Sequence, residues 1–272
     1  MIARGLDDDD QEAAPRTTPL PPALDAAKRT GVRKLRYYKH GIPYLKDVRV
    51  SGSLIVVEGP DAAGRSTHTR MIQTKLEAEG HAVLGTGLKR SELISEGIME
   101  AKANLGIGKR TLGLFYAADF ADQLENKIIP ALEAGYIVLA DRYIFTLMAR
   151  NSVRGINKAW SRNLFGFAVI PDLIFYLNVR PQELVHRVFQ KSSKLDYYES
   201  GMDMGISGDM YKSFVLYQTK LAREFDRMRE PFGLQFIDGN RSLDQVDAEL
   251  QGRIESFLSA PTTQSKNLLS GP

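Results

Sequence analysis

Short apolar runs separated by longer stretches of helical periodicity set the pattern of this chain. The runs Leu54–Glu58, Ala82–Gly85, Tyr136–Ala140, Leu173–Val179 and Leu234–Ile237 lack strict alternation of apolar and polar positions. Strands covered on both faces of a parallel sheet read this way. Helices are expected between them, over Thr67–Glu79, Ser91–Asn104, Arg110–Glu133, Pro181–Gln190, Gly208–Arg229 and Leu243–Leu258. In the longest, Leu112, Tyr116, Phe120, Leu124, Ile128 and Leu132 recur every fourth residue and share one face. Strands alternating with helices predict an α/β protein whose ligands sit at the carboxyl ends of its strands.

The pattern fades at both ends. Asp7–Asp10 with Pro15, Pro19, Pro21 and Pro22 leaves little apolar surface to offset ordering entropy, so residues 1–30 read as a loose extension. From Gly31 to Lys46 the chain is basic and aromatic, with Arg33, Lys34, Arg36, Tyr37, Tyr38, Lys39 and Tyr44. Such a stretch can hold RNA or polyphosphate, but an arm packed on its own domain is the favoured reading. The tail after Ala260 is polar. The expected organisation is an extension and arm over 1–48, one domain over 49–260 and a loose tail over 261–272.

Composition narrows the classes of function. Over 272 residues, 36 Lys and Arg stand against 33 Asp and Glu, so no strong field calls for nucleic acid or a membrane surface. There is no cysteine, hence no disulfide and no thiolate metal site. No apolar stretch reaches bilayer-spanning length, and the N-terminal stretch carries an acidic run where an export signal would be apolar. A soluble cytoplasmic protein is the expectation.

The first chemistry lies directly after the run Leu54–Val57. Glu58-Gly59-Pro60-Asp61-Ala62-Ala63-Gly64-Arg65-Ser66-Thr67 has the layout of a phosphate-binding loop between a strand and a helix. In G-x-x-x-x-G-K-[ST], glycines let backbone N–H groups turn inward around phosphate oxygens. The lysine reaches the β- and γ-phosphates, and the hydroxyl after it ligates Mg²⁺. Here Gly59, Gly64 and Ser66 keep the spacing, but Arg65 replaces the lysine. Arginine is a permanent cation that binds phosphate as a fork, so the chemistry survives in altered form. Downstream, Val138-Leu139-Ala140 ends in Asp141-Arg142-Tyr143. A carboxylate at a strand end beside such a loop is placed to hold hydrated Mg²⁺, and the neighbouring guanidinium to clamp a second phosphate.

These stretches, with Phe115-Tyr116-Ala117-Ala118-Asp119, Pro171–Leu177 and Phe236-Ile237-Asp238-Gly239, make the chain resemble the thymidylate kinase family of nucleoside-monophosphate kinases. The resemblance covers about residues 50–260. It implies a P-loop NTPase fold, a five-stranded parallel sheet flanked by helices. It also implies phosphorylation of a nucleoside monophosphate, with dTMP the leading acceptor, ATP the donor and Mg²⁺ the cofactor. Gly59, Pro60, Asp61, Ala62, Ala63, Gly64, Arg65, Ser66 and Thr67 would then hold the donor phosphates, with Ser66 and Asp141 on the metal. Asp61 would meet the acceptor sugar, and Arg142 and Arg90 the acceptor phosphate. Tyr116 would stack on the base, with Phe120 and Gln123 nearby. Arg65, Asp141 and Arg142 would carry catalysis, and residues Lys191–Asp209 would form a lid.

The sequence departs from the family pattern at telling places. Phe120 stands where an arginine usually reads the base, and Arg150 where an aromatic is common. The lid holds only Lys191 and Lys194 as cations, and Ala62 supplies no loop arginine. Tyr116 and Phe120 also lie on the apolar stripe and could both be core. Two rival readings stay open: a phosphotransferase fed by polyphosphate, and a nucleotide-binding regulatory protein without turnover. Small-molecule nucleotides are the expected partners, no membrane is expected, and pairing into a homodimer is left open.

Overall fold

The computed structural model describes residues 31–103, 107–191 and 195–260. The loose extension over 1–30 and the tail over 261–272 lie outside the described residues, as do positions 192–194 of the expected lid. The strands are β1 (Arg33–Lys34), β2 (Arg49–Val50), β3 (Ser53–Glu58), β4 (Val83–Gly87), β5 (Ile137–Asp141), β6 (Leu173–Asn178) and β7 (Gln235–Asp238). The last five form one sheet in the order β4-β5-β3-β6-β7, every neighbouring pair parallel. Each matches a run read from sequence to within two residues at either end.

Helices cover both faces: α1 (Arg65–Ala78), α2 (Ser95–Ala103), α3 (Lys109–Gln123), α4 (Ile129–Glu133), α5 (Ile144–Val153), α6 (Lys158–Leu164), α7 (Pro181–Lys191), α8 (Met210–Phe232) and α9 (Leu243–Ser259). Side chains alternate along a strand, so β3 sends Leu54 and Val56 into the core with α3, α5 and α8. Ile55 and Val57 join the core with α1, α7 and α9. All six residues of β3 are buried, which is why its sequence shows no polar alternation.

Three features differ from the sequence reading. The helix expected over Arg110–Glu133 is interrupted by a π-helical turn, Leu124–Ile128, before α4. Pro130 explains it: proline has no N–H to donate, and its ring clashes with the carbonyl four residues back. The wider turn accommodates both. Helices α5 and α6 were not anticipated. Seven of the ten residues of α5 are buried, the first six of them consecutive, so its first turns show no alternation of apolar and polar faces to read.

The boundary drawn at 48 is the third, although the basic arm packs on its own domain as the favoured reading expects. β1 and β2 form an antiparallel ribbon, and Leu35, Ile42 and Val50 are buried in the same core as Leu54. Arg33 pairs with Asp172 at 2.6 Å, and Tyr38 meets Phe145 and Phe232 edge-on. Residues 33–50 are therefore integral, and the boundary drawn at 48 falls inside the packed structure. Clustered charges around isolated apolar residues had hidden the buried side of this segment.

Candidate active site

The site begins where β3 ends. Gly59 and Gly64 have φ of 155° and 89°, a region that side chains rarely enter. A Cβ on Gly59 would also stand 3.1 Å from the Leu177 carbonyl oxygen. Ala62, at φ 65°, takes the left-handed conformation without a glycine's freedom. This turning brings the N-terminus of α1 to the carboxyl edge of the sheet, where free N–H groups and the helix dipole favour anions. Asp61–Thr67 line one wall of a cleft, faced by Val188, Leu195, Glu199 and Phe214. Gly59 and Pro60 are not among the residues lining this cleft, and their carbonyls accept hydrogen bonds from the side chain of Arg65.

Arg65 is buried and bound to its own loop. Its Nη1 donates to Gly59 O at 2.7 Å and to Pro60 O, and its Nε donates to Asp141 Oδ1 at 2.8 Å. Ser66 Oγ donates to the other carboxylate oxygen of Asp141 at 2.7 Å. The carboxylate at the end of β5 thus gathers the loop cation and the loop hydroxyl. Burial works to raise the Asp141 carboxyl, but Arg65 and Ser66 outweigh it and keep it below the usual carboxylate range. Among the described residues no group of three or more His, Cys, Asp or Glu is arranged to hold a metal. The Ser66–Asp141 pair nevertheless fits Mg²⁺, a hard cation that takes one or two protein oxygens and fills its octahedron with water and substrate phosphates.

Asp61 forms a second ionic centre. It accepts from Arg142 Nη2, lies 3.3 Å from Arg150 Nη2 and 3.9 Å from Arg65 Nη2. Burial pushes this carboxyl up, yet the three guanidinium groups hold it well below the ordinary range. Arg142 has φ 76° and also donates to Gly59 O at 3.2 Å and Thr146 Oγ1 at 2.9 Å. Beneath it, the buried Glu58 accepts from Tyr143 N, Thr146 N and Thr146 Oγ1 at 2.9, 3.1 and 2.5 Å. Burial raises the Glu58 carboxyl against these bonds. Glu58 caps the first turn of α5 and so aims both Arg142 and Arg150.

A second cleft adjoins the first, lined by Asp61, Arg65, Lys89, Arg90, Lys102, Asp141, Arg142 and Arg150 among others. Arg90 is exposed at its edge. The loop carrying it is held by the buried Asp119, which accepts from Lys89 N at 2.8 Å and Ser91 N at 2.9 Å. The sequence reading quoted Asp119 within its stretch but gave it no role. A third cleft, running on from the second, has Leu112, Gly113, Tyr116, Leu147, Asn151 and Phe165 in its walls, with Arg150 and Arg154. Tyr116 borders both.

Two expected substrate contacts sit elsewhere. Phe120 is buried, edge-on to Tyr143 and against Phe167, and is absent from the residues lining the clefts. It is core, because its position on the apolar stripe points under the cleft floor. Gln123 is also buried, accepting from Thr86 Oγ1 at 2.7 Å and donating to Asp119 Oδ2 at 3.0 Å. Arg150, noted in the sequence only as a departure, lines both the second and the third cleft. Arg154 escaped notice. Buried, it donates to Asp203 Oδ2 at 2.8 Å, Tyr198 O at 3.0 Å and Tyr217 Oη at 2.6 Å, tying the segment after 195 to α8. Within that segment Glu199 borders all three clefts, and the charge of Asp61, with burial, raises its carboxyl. The lid cations expected at Lys191 and Lys194 lie outside the described side chains. No helix among the described residues is long and apolar enough to cross a membrane.

Three contiguous clefts over one phosphate loop suit two phosphorylated ligands meeting end to end, with cations between them. Known proteins agree. A family model described as thymidylate kinase matches residues 57–232. The chain is 32% identical over 208 residues to a probable thymidylate kinase 2 of Saccharolobus solfataricus, covering 76% of this chain and 97% of that protein. It is 32% identical over 217 residues to a probable thymidylate kinase of Thermococcus kodakarensis, covering 75% and 98%. A thymidylate kinase of Shouchella clausii is 29% identical, with 76% and 96% covered. The matched span contains the loop, the strand-end Asp141-Arg142 pair and the walls of all three clefts, and on it the chain belongs to the thymidylate kinase family.

Proposed function

We propose that the protein transfers the γ-phosphoryl group of ATP to dTMP, giving dTDP and ADP, in the presence of Mg²⁺. One observation carries this reading: donor, acceptor and base clefts adjoin one another around Asp61, Arg65 and Glu199. Polyphosphate transfer and turnover-free regulation are not favoured, since the relatives named above are called thymidylate kinases.

The chain's residues do the positioning. Loop N–H groups and the α1 N-terminus hold the donor phosphates. Ser66 and Asp141 would hold the metal, which when bound would neutralise charge on the donor phosphates. Arg142, with Arg90 at the edge, grips the acceptor phosphate, and Tyr116 offers its ring to the base. An acceptor phosphate oxygen bonds to the γ-phosphorus as the bond to the β,γ-bridging oxygen breaks. That oxygen is already anionic, so no general base is required. Arg65 stiffens the loop and places a fixed positive charge between the donor and acceptor clefts.

The proposal extends to setting and assembly. Cytoplasmic residence fits the nucleotide substrates. Exposed Met99 on α2 and Leu114 on α3 offer apolar surface for pairing into a homodimer, testable by sedimentation. The test of activity is the purified protein with Mg²⁺ and ATP against dTMP, dUMP, UMP, CMP, AMP and GMP, with ADP release measured. Fastest turnover on dTMP is expected; best activity on a purine overturns the reading.

A further inference from the structure

Lys102 stands in the last turn of α2 and lines both the second and the third cleft. Its side chain is 16% exposed, yet its ammonium makes no hydrogen bond among the described residues. We propose that Lys102 Nζ donates to the phosphate of the acceptor nucleotide, as a cation supplied by α2 alongside Arg142 from the end of β5. This rests on the assignment of the second cleft to that phosphate.

The protein groups nearest the ammonium do not satisfy it. Asp196 Oδ1 lies 3.7 Å away, too far for a hydrogen bond. That oxygen already accepts from Tyr198 N and Glu199 N, both at 2.9 Å. The Asp196 side chain is also 45% exposed, so solvent weakens the pair. The Tyr198 ring, 5.0 Å from Nζ, attracts the charge but offers no oxygen to its three N–H donors. Withdrawing an ammonium from water without acceptors is costly, and a phosphate oxygen in the cleft removes that cost.

The other cations of the second cleft are placed differently. Arg65 is bound to Asp141 and to loop carbonyls, while Arg142 and Arg150 reach Asp61. Lys89 and Arg90 are exposed and remain solvated. Among these cations only Lys102 is both mostly buried and without a hydrogen-bonding oxygen. A compact ammonium suits a phosphate as a point charge, and a bond between ionised partners is about twice as strong as one to a neutral carbonyl of a base. Lys102 is absent from the lining of the first cleft, so the donor should not depend on it.

The test measures dissociation constants for dTMP, thymidine and ATP by equilibrium dialysis on the full chain, with steady-state turnover in parallel. Lys102→Met keeps an unbranched stem and removes the charge. It should weaken dTMP binding by about tenfold or more and leave thymidine, which has no phosphate, and ATP near their wild-type values. Lys102→Arg, which restores the cation, should recover most of the loss. Retained thymidine binding shows that the variant is folded. An equal loss for thymidine and dTMP overturns the proposal, since Lys102 would then serve the base or the packing of Tyr198. Unchanged dTMP binding in Lys102→Met with normal turnover in the wild type also overturns it and leaves the kinase reading intact. The expected pattern of affinities in a protein without turnover supports the phosphate contact and sinks the kinase reading instead. A wild type that binds neither dTMP nor thymidine overturns both.

Discussion

Arg65 Nε donates to Asp141 Oδ1 at 2.8 Å, so the loop cation and the carboxylate at the end of β5 form one unit. The same guanidinium holds the Gly59 and Pro60 carbonyls. Arg65→Ala should therefore lower kcat by about 10²–10³-fold, the scale for losing one preorganised charge group. Arg65→Lys keeps the charge but cannot reach three acceptors as a fork, so it should recover only part of that loss. Steady-state kinetics on both variants decide; wild-type turnover in Arg65→Ala removes the residue from the mechanism.

Arg142 lines the second cleft, proposed for the acceptor, and is absent from the lining of the first. Arg142→Ala should raise the KM for the monophosphate at least about tenfold, as expected for losing a charge-assisted contact to phosphate, with little change in ATP affinity. Separate titrations of the two nucleotides check this. Equal losses for donor and acceptor would move Arg142 out of the acceptor site.

Glu58 accepts three hydrogen bonds that start α5. Glu58→Ala leaves buried N–H groups unpaired and should destabilise the protein by about 1–3 kcal/mol for each. Glu58→Gln keeps an acceptor and should cost less. Urea unfolding, compared at a constant m-value, gives the measurement.

Asp61 supplies a pH dependence. Its folded carboxyl is held below the unfolded value of about 3.9, so its stabilising contribution is complete well above that value. It fades as pH falls below the unfolded value and is lost through the depressed folded one. The stability gap between wild type and Asp61→Asn should narrow as pH drops from 5 to 3. Thermal unfolding across that range shows it; a gap that widens on acidification contradicts the assigned charge.

Discrimination by the 5-methyl group rests on shape. An apolar wall of Leu112, Leu147 and Phe165 separates ligands differing by one methyl by about 1–3 kcal/mol. The preference for dTMP over dUMP in kcat/KM should stay within about 10–200-fold, and a ratio far above that contradicts discrimination by an apolar wall alone.

Much of this protein is legible in its chain because the signals are local. A fully buried strand must be continuously apolar, and a phosphate loop must have glycines where φ is positive, so β3 to β7 and the turn over Gly59–Gly64 follow from residue order. The strand-end position of Asp141 and Arg142 follows for the same reason. Which side chains meet was a different matter. Tyr116 and Phe120 share one stripe of α3, yet only Tyr116 borders a cleft, because the neighbouring Tyr143 and Phe167 close over Phe120. Helix α5, mostly buried, was not read from the pattern, so Asn151 and the Arg154 that follows it went unnoticed and Arg150 appeared only as a departure from the family pattern. Asp119 takes its role from Lys89 and Ser91, and Arg65 from Asp141, partners distant in sequence. Local rules place backbone and charge; the packing of distant segments alone decides which polar atoms are spent on the fold and which remain for a ligand.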